Sequence, residues 1–170
     1  MARTDRASAA LVKWMDLAFN DSDNAPAGGL SGGCQLRPGM GLPALDNFEE
    51  CALAWVMSGV RGVTESFPTM SETPGCKGRT VVEFSVGIAR CSNALGSDGY
   101  LPSIEDMERE YAVQEQDKDR LHTATCRAAG ELERGQWATN VALLPIEVYG
   151  PEGGTVAVYR TVMIELGRGA

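Results

Sequence analysis

The spacing of hydrophobic positions changes along the chain, and each change predicts an element. Over residues 4–19, Ala7, Leu11, Trp14 and Ala18, joined by Ala10 and Leu17, form one apolar stripe at helical spacing. Thr4 can cap that helix, and Asn20 and Asp21 end it. Residues 51–63 are apolar on both faces, as a central strand requires. Residues 80–90 alternate instead, with Val82, Phe84, Val86 and Ile88 on one face and Val81, Glu83, Ser85 and Gly87 on the other. The turn-rich segment 67–79 joins the two as an antiparallel hairpin.

A second helical period starts after Ser103, a good N-cap followed by Glu105 and Asp106 in the first turn. Its stripe runs through Ile104, Met107 and Tyr111, weakens at Gln114 and Lys118, and resumes at Leu121, Thr125 and Ala128. Residues 140–149 predict a third strand, in which Pro145 lacks a backbone donor and marks a sheet edge or a bulge. "GPEGG" at 150–154 predicts a tight turn through Pro151, Glu152 and Gly153. The last strand, 155–166, puts Val156, Val158, Val162, Ile164 and Leu166 on one face, interrupted only by Arg160. The pattern therefore predicts one α+β domain over 1–170, in the order α-β-β-α-β-β. It has a four-stranded, mainly antiparallel sheet and two helices on one face. The stretch 21–47, with six glycines and three prolines, predicts a long flexible loop.

Composition narrows the function. A net charge of −8 argues against wrapping nucleic acid, which needs clustered Lys and Arg. No apolar run approaches the length that spans a bilayer. The start of the chain lacks the apolar core of a signal peptide, which makes a cytoplasm the expected place of synthesis. The five cysteines, at 34, 51, 76, 91 and 126, contain no Cys-x-x-Cys pair, and His122 is the single histidine, so no zinc site is expected. The predicted hairpin puts Cys51 opposite Cys91, close enough for a disulfide; in a reducing cytoplasm two neighbouring thiols are expected instead. The cysteines in general read as small buried hydrophobes, and His122 as a surface residue of a charged helix.

Residues 105–119 hold seven acidic and two basic side chains. Such a run ordinarily makes a solvated helix face. It could also line a passage through which a polyanion slides without sticking, with Glu105, Asp106, Glu108, Glu115 and Asp117 as the lining acids. Glu147, Glu152 and Glu165 could supply a carboxylate pair, and replacing Glu83, Glu147 and Glu165 would test a small metal-dependent hydrolase. No nucleophile–base motif accompanies them, and neither an enzyme nor a cofactor is expected.

The motifs also have a recognisable order. A central strand opens with Cys51 and Trp55. "FP" at 67–68, Glu83, "ARC" at 89–91 and "LPSIEDME" before a long helix ending near Cys126 follow it. Trp137 and "GPEGG" then precede a final amphipathic strand. This order, over about residues 45–166, resembles the lambda-type tail terminator proteins of long-tailed phages that infect actinobacteria. "TVAVYR" stands where that family often has a second glycine pair.

The resemblance implies a structural virion protein. Its subunits would form a ring, commonly a hexamer, on the last layer of tail-tube protein, stop tube polymerisation and offer a surface to the neck or head-completion protein. Genomic DNA would pass through the bore without specific binding. The ring would be assembled in the host bacterial cytoplasm and reside at the tail–neck junction of the virion. Pro68, Met70, Pro145, Pro151, Glu152 and Gly153 are the candidate contact residues toward subunits and partners. The alternatives are a head-completion or connector subunit of the neck, the small carboxylate hydrolase, and a cytoplasmic binding module that stays monomeric.

Overall fold

The computed structural model describes residues 3–20, 34–39, 42–43, 52–71, 78–92, 101–152 and 154–167. In chain order the elements are α1 (Arg3–Phe19), β1 (Cys34–Pro38), β2 (Ala52–Thr64), β3 (Arg79–Cys91), α2 (Ile104–Arg134), β4 (Ala138–Leu143), β5 (Glu147–Glu152) and β6 (Thr155–Leu166). The four-stranded α-β-β-α-β-β arrangement expected from the sequence is not what forms. The strands make a six-stranded mixed sheet in the order β1-β2-β3-β6-β4, with β5 also paired to β6.

Two local events account for the difference. The first is β1, a five-residue strand inside the stretch read as a flexible loop, which pairs in parallel with β2 from Cys34 opposite Ala54 to Pro38 opposite Ser58. Its sequence, Cys-Gln-Leu-Arg-Pro, is too short to display a period and sits among glycines. Residues 21–33, 40–41 and 44–47 of the loop lie outside the described residues. The second event is the splitting of the 140–149 strand into β4 and β5 around Leu144-Pro145-Ile146. Both halves pair antiparallel with β6, β4 with its end and β5 with its beginning. Pro145 cannot donate to a ladder, so the break falls where the sequence removes the donor.

The centre of the sheet follows the hydrophobic pattern closely. β2 pairs antiparallel with β3 and β3 with β6, so the two long, Val-rich strands lie inside the sheet. Val82, Phe84, Val86 and Ile88 of β3 join Val158, Val162 and Ile164 of β6 in one core under both helices. Trp55, Met57, Ala89 and Ala157 form a smaller cluster on the opposite face. That cluster depends on Gly87. A Cβ there would lie 2.5 Å from Trp55 Cζ2, 2.6 Å from Tyr159 Cβ and 2.7 Å from the Val158 carbonyl oxygen.

α1 buries Ala7, Ala10, Leu11, Met15 and Phe19. Its inward face is therefore rotated from the predicted stripe, and Leu17 stays exposed. The indole of Trp14 donates to Glu131 Oε2 at 2.7 Å and Lys13 reaches the same oxygen at 2.9 Å, tying α1 to the second half of α2. α2 is longer than its pattern suggested, about 46 Å at 1.5 Å per residue. The Ser103 hydroxyl caps it by accepting from Asp106 N at 3.1 Å. Its buried residues begin at Asp117 and continue through Leu121, Ala124, Thr125, Ala128 and Leu132. No residue of the first half, 104–116, is buried. This half is helical for reasons of capping and composition, and not because it covers the core.

Candidate functional site

The feature that packing leaves unexplained is the corner where α2 begins, β3 ends and β6 starts. Ser92, just past β3, donates its hydroxyl to Glu110 Oε2 at 2.9 Å. Residues 104–107 lie up to about 9 Å further along the helix axis, beyond that strand end. Ile104, Met107 and Tyr111, at i, i+3 and i+7, stay exposed there, as does Leu101 before the helix. Beneath them a cleft of about 440 Å³ opens over Ile88, Val156 and Val158, with Met107, Val113 and Pro151 among its walls. On β5, Val148 is exposed on the helical face, opposite Val158, whereas Tyr149, opposite Ala157, is exposed on the other face.

The acidic run divides into two environments. Glu105 and Asp106 share the Arg109 guanidinium at 3.4 and 3.0 Å, and Glu115 pairs with Lys118. The Ser103 hydroxyl, followed by Arg109, holds the Asp106 carboxyl below the ordinary carboxylate range. Glu108 is exposed. Asp117 differs: it is buried, and Arg90 of β3 grips it with Nε to Oδ2 at 2.6 Å and Nη2 to Oδ1 at 2.9 Å. Asp117 is thus withdrawn from any acidic surface and serves as the clasp that fixes the middle of α2 to the sheet.

The candidate contact residues are scattered. Pro68 is exposed in the turn after β2, where the Phe67–Pro68 bond is cis. Met70 lies back across its own hairpin, its sulfur 3.1 Å from where a Cβ of Gly62 would be. Pro145 is exposed in the break between β4 and β5. Pro151 is exposed on β5 and lines the cleft at the α2 corner. Glu152 pairs with Thr155 through the backbone, and Gly153 lies outside the described residues. Pro151 therefore joins the acidic corner, whereas Pro68, Met70 and Pro145 do not line it.

The carboxylates of the hydrolase alternative do not converge. Glu165 is buried and accepts from Asn140 Nδ2 at 2.9 Å. Its Oε1 lies 2.9 Å from Arg79, at an angle that makes no hydrogen bond, so charge alone holds that oxygen. Glu147 accepts from the Tyr159 hydroxyl at 2.9 Å and pushes that phenol's pKa up. Glu147 pairs opposite Tyr159, and Tyr159 and Glu165 are six positions apart on β6, about 20 Å. Glu83 is half-buried on β3. Among the described residues no three His, Cys, Asp or Glu side chains gather as metal ligands.

His122 and Cys126 approach each other on the exposed face of α2, with Nε2 3.6 Å from the sulfur. Arg160, buried on β6, points Nη1 at His122 Nδ1 from 3.4 Å, and an arginine can only donate. With Nδ1 turned to the Arg160 donor, Nε2 is the ring nitrogen that faces the sulfur. Arg160 also donates to Thr125 Oγ1 at 3.2 Å and, through Nε at 2.8 Å and through Nη2, to the Leu144 carbonyl. Burial pushes the Arg160 pKa down and the nearby Cys126 offsets this. Its role is to satisfy the carbonyl at the β4–β5 break.

The cysteines depart from the expectation of buried thiols. Cys126 is an exposed free thiol and Cys91, also exposed, is disulfide-bonded, which corrects the reading of two neighbouring thiols. The register sets Ala52 opposite Arg90, one residue short of Cys91; Cys51 and Cys76 lie outside the described residues. Burial, with Asp16 nearby, pushes the free Cys34 thiol up to about 12, so it is unreactive at neutral pH.

What the described residues build is therefore a set of surfaces. An acidic, apolar corner stands at one sheet edge, with a buried ion pair holding it in place, and the candidate carboxylates Glu147 and Glu165 lie apart. No helix among the described residues is long and apolar enough to cross a membrane. No protein-family model matches the chain, and no curated protein matches it in sequence.

Proposed function

We propose that this chain is a structural assembly subunit that closes into a ring on the head-proximal end of a phage tail tube, ends tube polymerisation and presents a surface to the neck. The observation that carries the reading is the first half of α2. Thirteen residues, 104–116, form helix with Ile104, Met107 and Tyr111 exposed, although an apolar stripe of that kind is ordinarily covered in the working form of a protein. The order of short motifs from Cys51 to the final strand supplies the identity of the assembly, and the acidic surface suits a ring whose bore passes DNA. Open sheet edges supply the means of joining copies.

Removing the gene product from an infected culture tests the reading. Negative-stain images are expected to show tails of irregular, excessive length that fail to join heads. Tails of normal length joined to heads would refute it. Co-purification separates the terminator from a neck connector, because a terminator binds tail-tube protein directly.

A further inference from the structure

A second cleft opens at the other end of α2, where β4 begins and β6 ends. Its volume is about 720 Å³, within the range of small-ligand sites. Ala138, Glu165 and Leu166 make a buried floor. Thr4 at the start of α1, Arg61 of β2, Thr80 of β3 and Glu133 in the last turn of α2 stand around it. No lining residue is shared with the acidic corner, which lies at the start of the same helix.

Four charged side chains line this cleft, Arg61, Arg79, Glu133 and Glu165. Arg79 and Glu165 offset each other at 2.9 Å. Arg61 and Glu133 are both exposed, and neither has an ion-pair partner among the described residues. One cation and one anion thus border the same cleft without pairing. The floor adds an incomplete group, because Glu165 Oε1 is buried and accepts no hydrogen bond. The helix ends repeat the division of charge. The start of α1, at Thr4, carries partial positive charge, and the last turn of α2, at Glu133, carries partial negative charge.

We propose that this cleft binds a small zwitterion of the amino-acid or short-peptide class, with its carboxylate on Arg61 and its ammonium group on Glu133. A purely anionic ligand would leave Glu133 facing it, and a purely cationic one would leave Arg61; a zwitterion satisfies both. The ammonium is also the kind of donor that Glu165 Oε1 lacks. Between the two ends, the Thr80 and Thr139 hydroxyls can donate to and accept from a peptide group. The inference goes beyond the ring reading and does not depend on it, since that reading rests on the opposite end of α2.

Titration with trialanine, followed by ligand-observed NMR, tests it beside two blocked forms of the same peptide. N-acetyl-trialanine lacks the ammonium group and trialanine amide lacks the carboxylate. Trialanine is expected to bind the wild type, and each blocked form to bind at least tenfold more weakly. Arg61→Met is expected to abolish the preference for trialanine over its amide and to keep the preference over the acetylated form. Glu133→Gln is expected to do the reverse. Both replaced residues are exposed, so both variants are expected to keep the wild-type circular dichroism spectrum and melting profile. Absence of trialanine binding at millimolar concentration, equal binding of the blocked forms, or preferences that survive both substitutions would overturn the assignment.

Discussion

Asp117→Asn is the substitution that best separates a structural acid from a lining one. The native carboxylate has a side chain 3% exposed and the Arg90 side chain it holds is 15% exposed. Asparagine keeps the volume and one acceptor but removes the charge, leaving Arg90 with a charge that burial has stripped of much of its water. Breaking a buried pair by removing one partner costs about 3–5 kcal/mol. The cleft beside Arg90 admits solvent, so a value at the bottom of that range or just below it, about 2–3 kcal/mol, is expected. For a chain of this size each kcal/mol moves the melting temperature by roughly 2–4 °C, so the midpoint falls by roughly 5–10 °C. Thermal unfolding followed by circular dichroism measures it, with Glu105→Gln beside it as an exposed control expected to change stability by less than about 0.5 kcal/mol. A double replacement, Arg90→Met with Asp117→Leu, is expected to recover most of the loss, since no buried charge remains unpaired. Equal, negligible effects of Asp117→Asn and Glu105→Gln would contradict the clasp and return Asp117 to the acidic surface.

Gly87→Ala is expected to destabilise the fold by about 1–3 kcal/mol, because the new methyl meets the Val158 backbone as well as Trp55 and Tyr159; urea denaturation measures it, and a neutral result contradicts the packing. Arg160→Met removes the donors to the Leu144 carbonyl and is expected to cost about 1–3 kcal/mol, with faster amide exchange confined first to the β4–β5 break. Mass spectrometry after alkylation at neutral pH is expected to find Cys126 labelled and Cys34 protected until the chain unfolds. The sign of the linkage follows from the raised pKa: the unfolded Cys34 thiol ionises near its ordinary 9.0 and the folded one near 12. Its contribution to stability is full below pH 9 and declines as the pH rises from 9 toward 12. Rapid labelling of native Cys34 at neutral pH contradicts that environment.

The strands that bury one face wrote themselves plainly into the sequence. Val82 to Ile88 and Val156 to Leu166 keep a strict period of two, and they form the middle of the sheet. β1 was hidden because five residues with one strand neighbour need no alternation, and its parallel partner lies beyond a glycine-rich connection. The β4–β5 break was signalled by Pro145, but nothing local shows that both halves would return to β6.

The candidate surface was partly legible for the same reason that it stands out in the structure. Ile104, Met107 and Tyr111 carry a helical stripe that fades at Gln114 and Lys118, and the fading marks where the helix meets the protein's own core. Asp117 was misread as a surface acid although it is spaced four residues before Leu121 on the inward stripe. Its partner Arg90 comes from a strand end that only the fold brings near. Arg160 announced itself as the single charge on an apolar strand face, but its acceptor, a carbonyl at an edge break, has no sequence signature.

The most direct test of the central claim is the position of this chain on assembled tails. Gold-labelled protein, carrying a tag at its C-terminus, is incubated with tails purified from cultures that lack it, and the label is located by electron microscopy. The account predicts one ring of label at the head-proximal end of each tail and a block to further addition of tube protein. Label distributed along the tube, confined to the opposite tip, or absent from tails that continue to grow in its presence would contradict it.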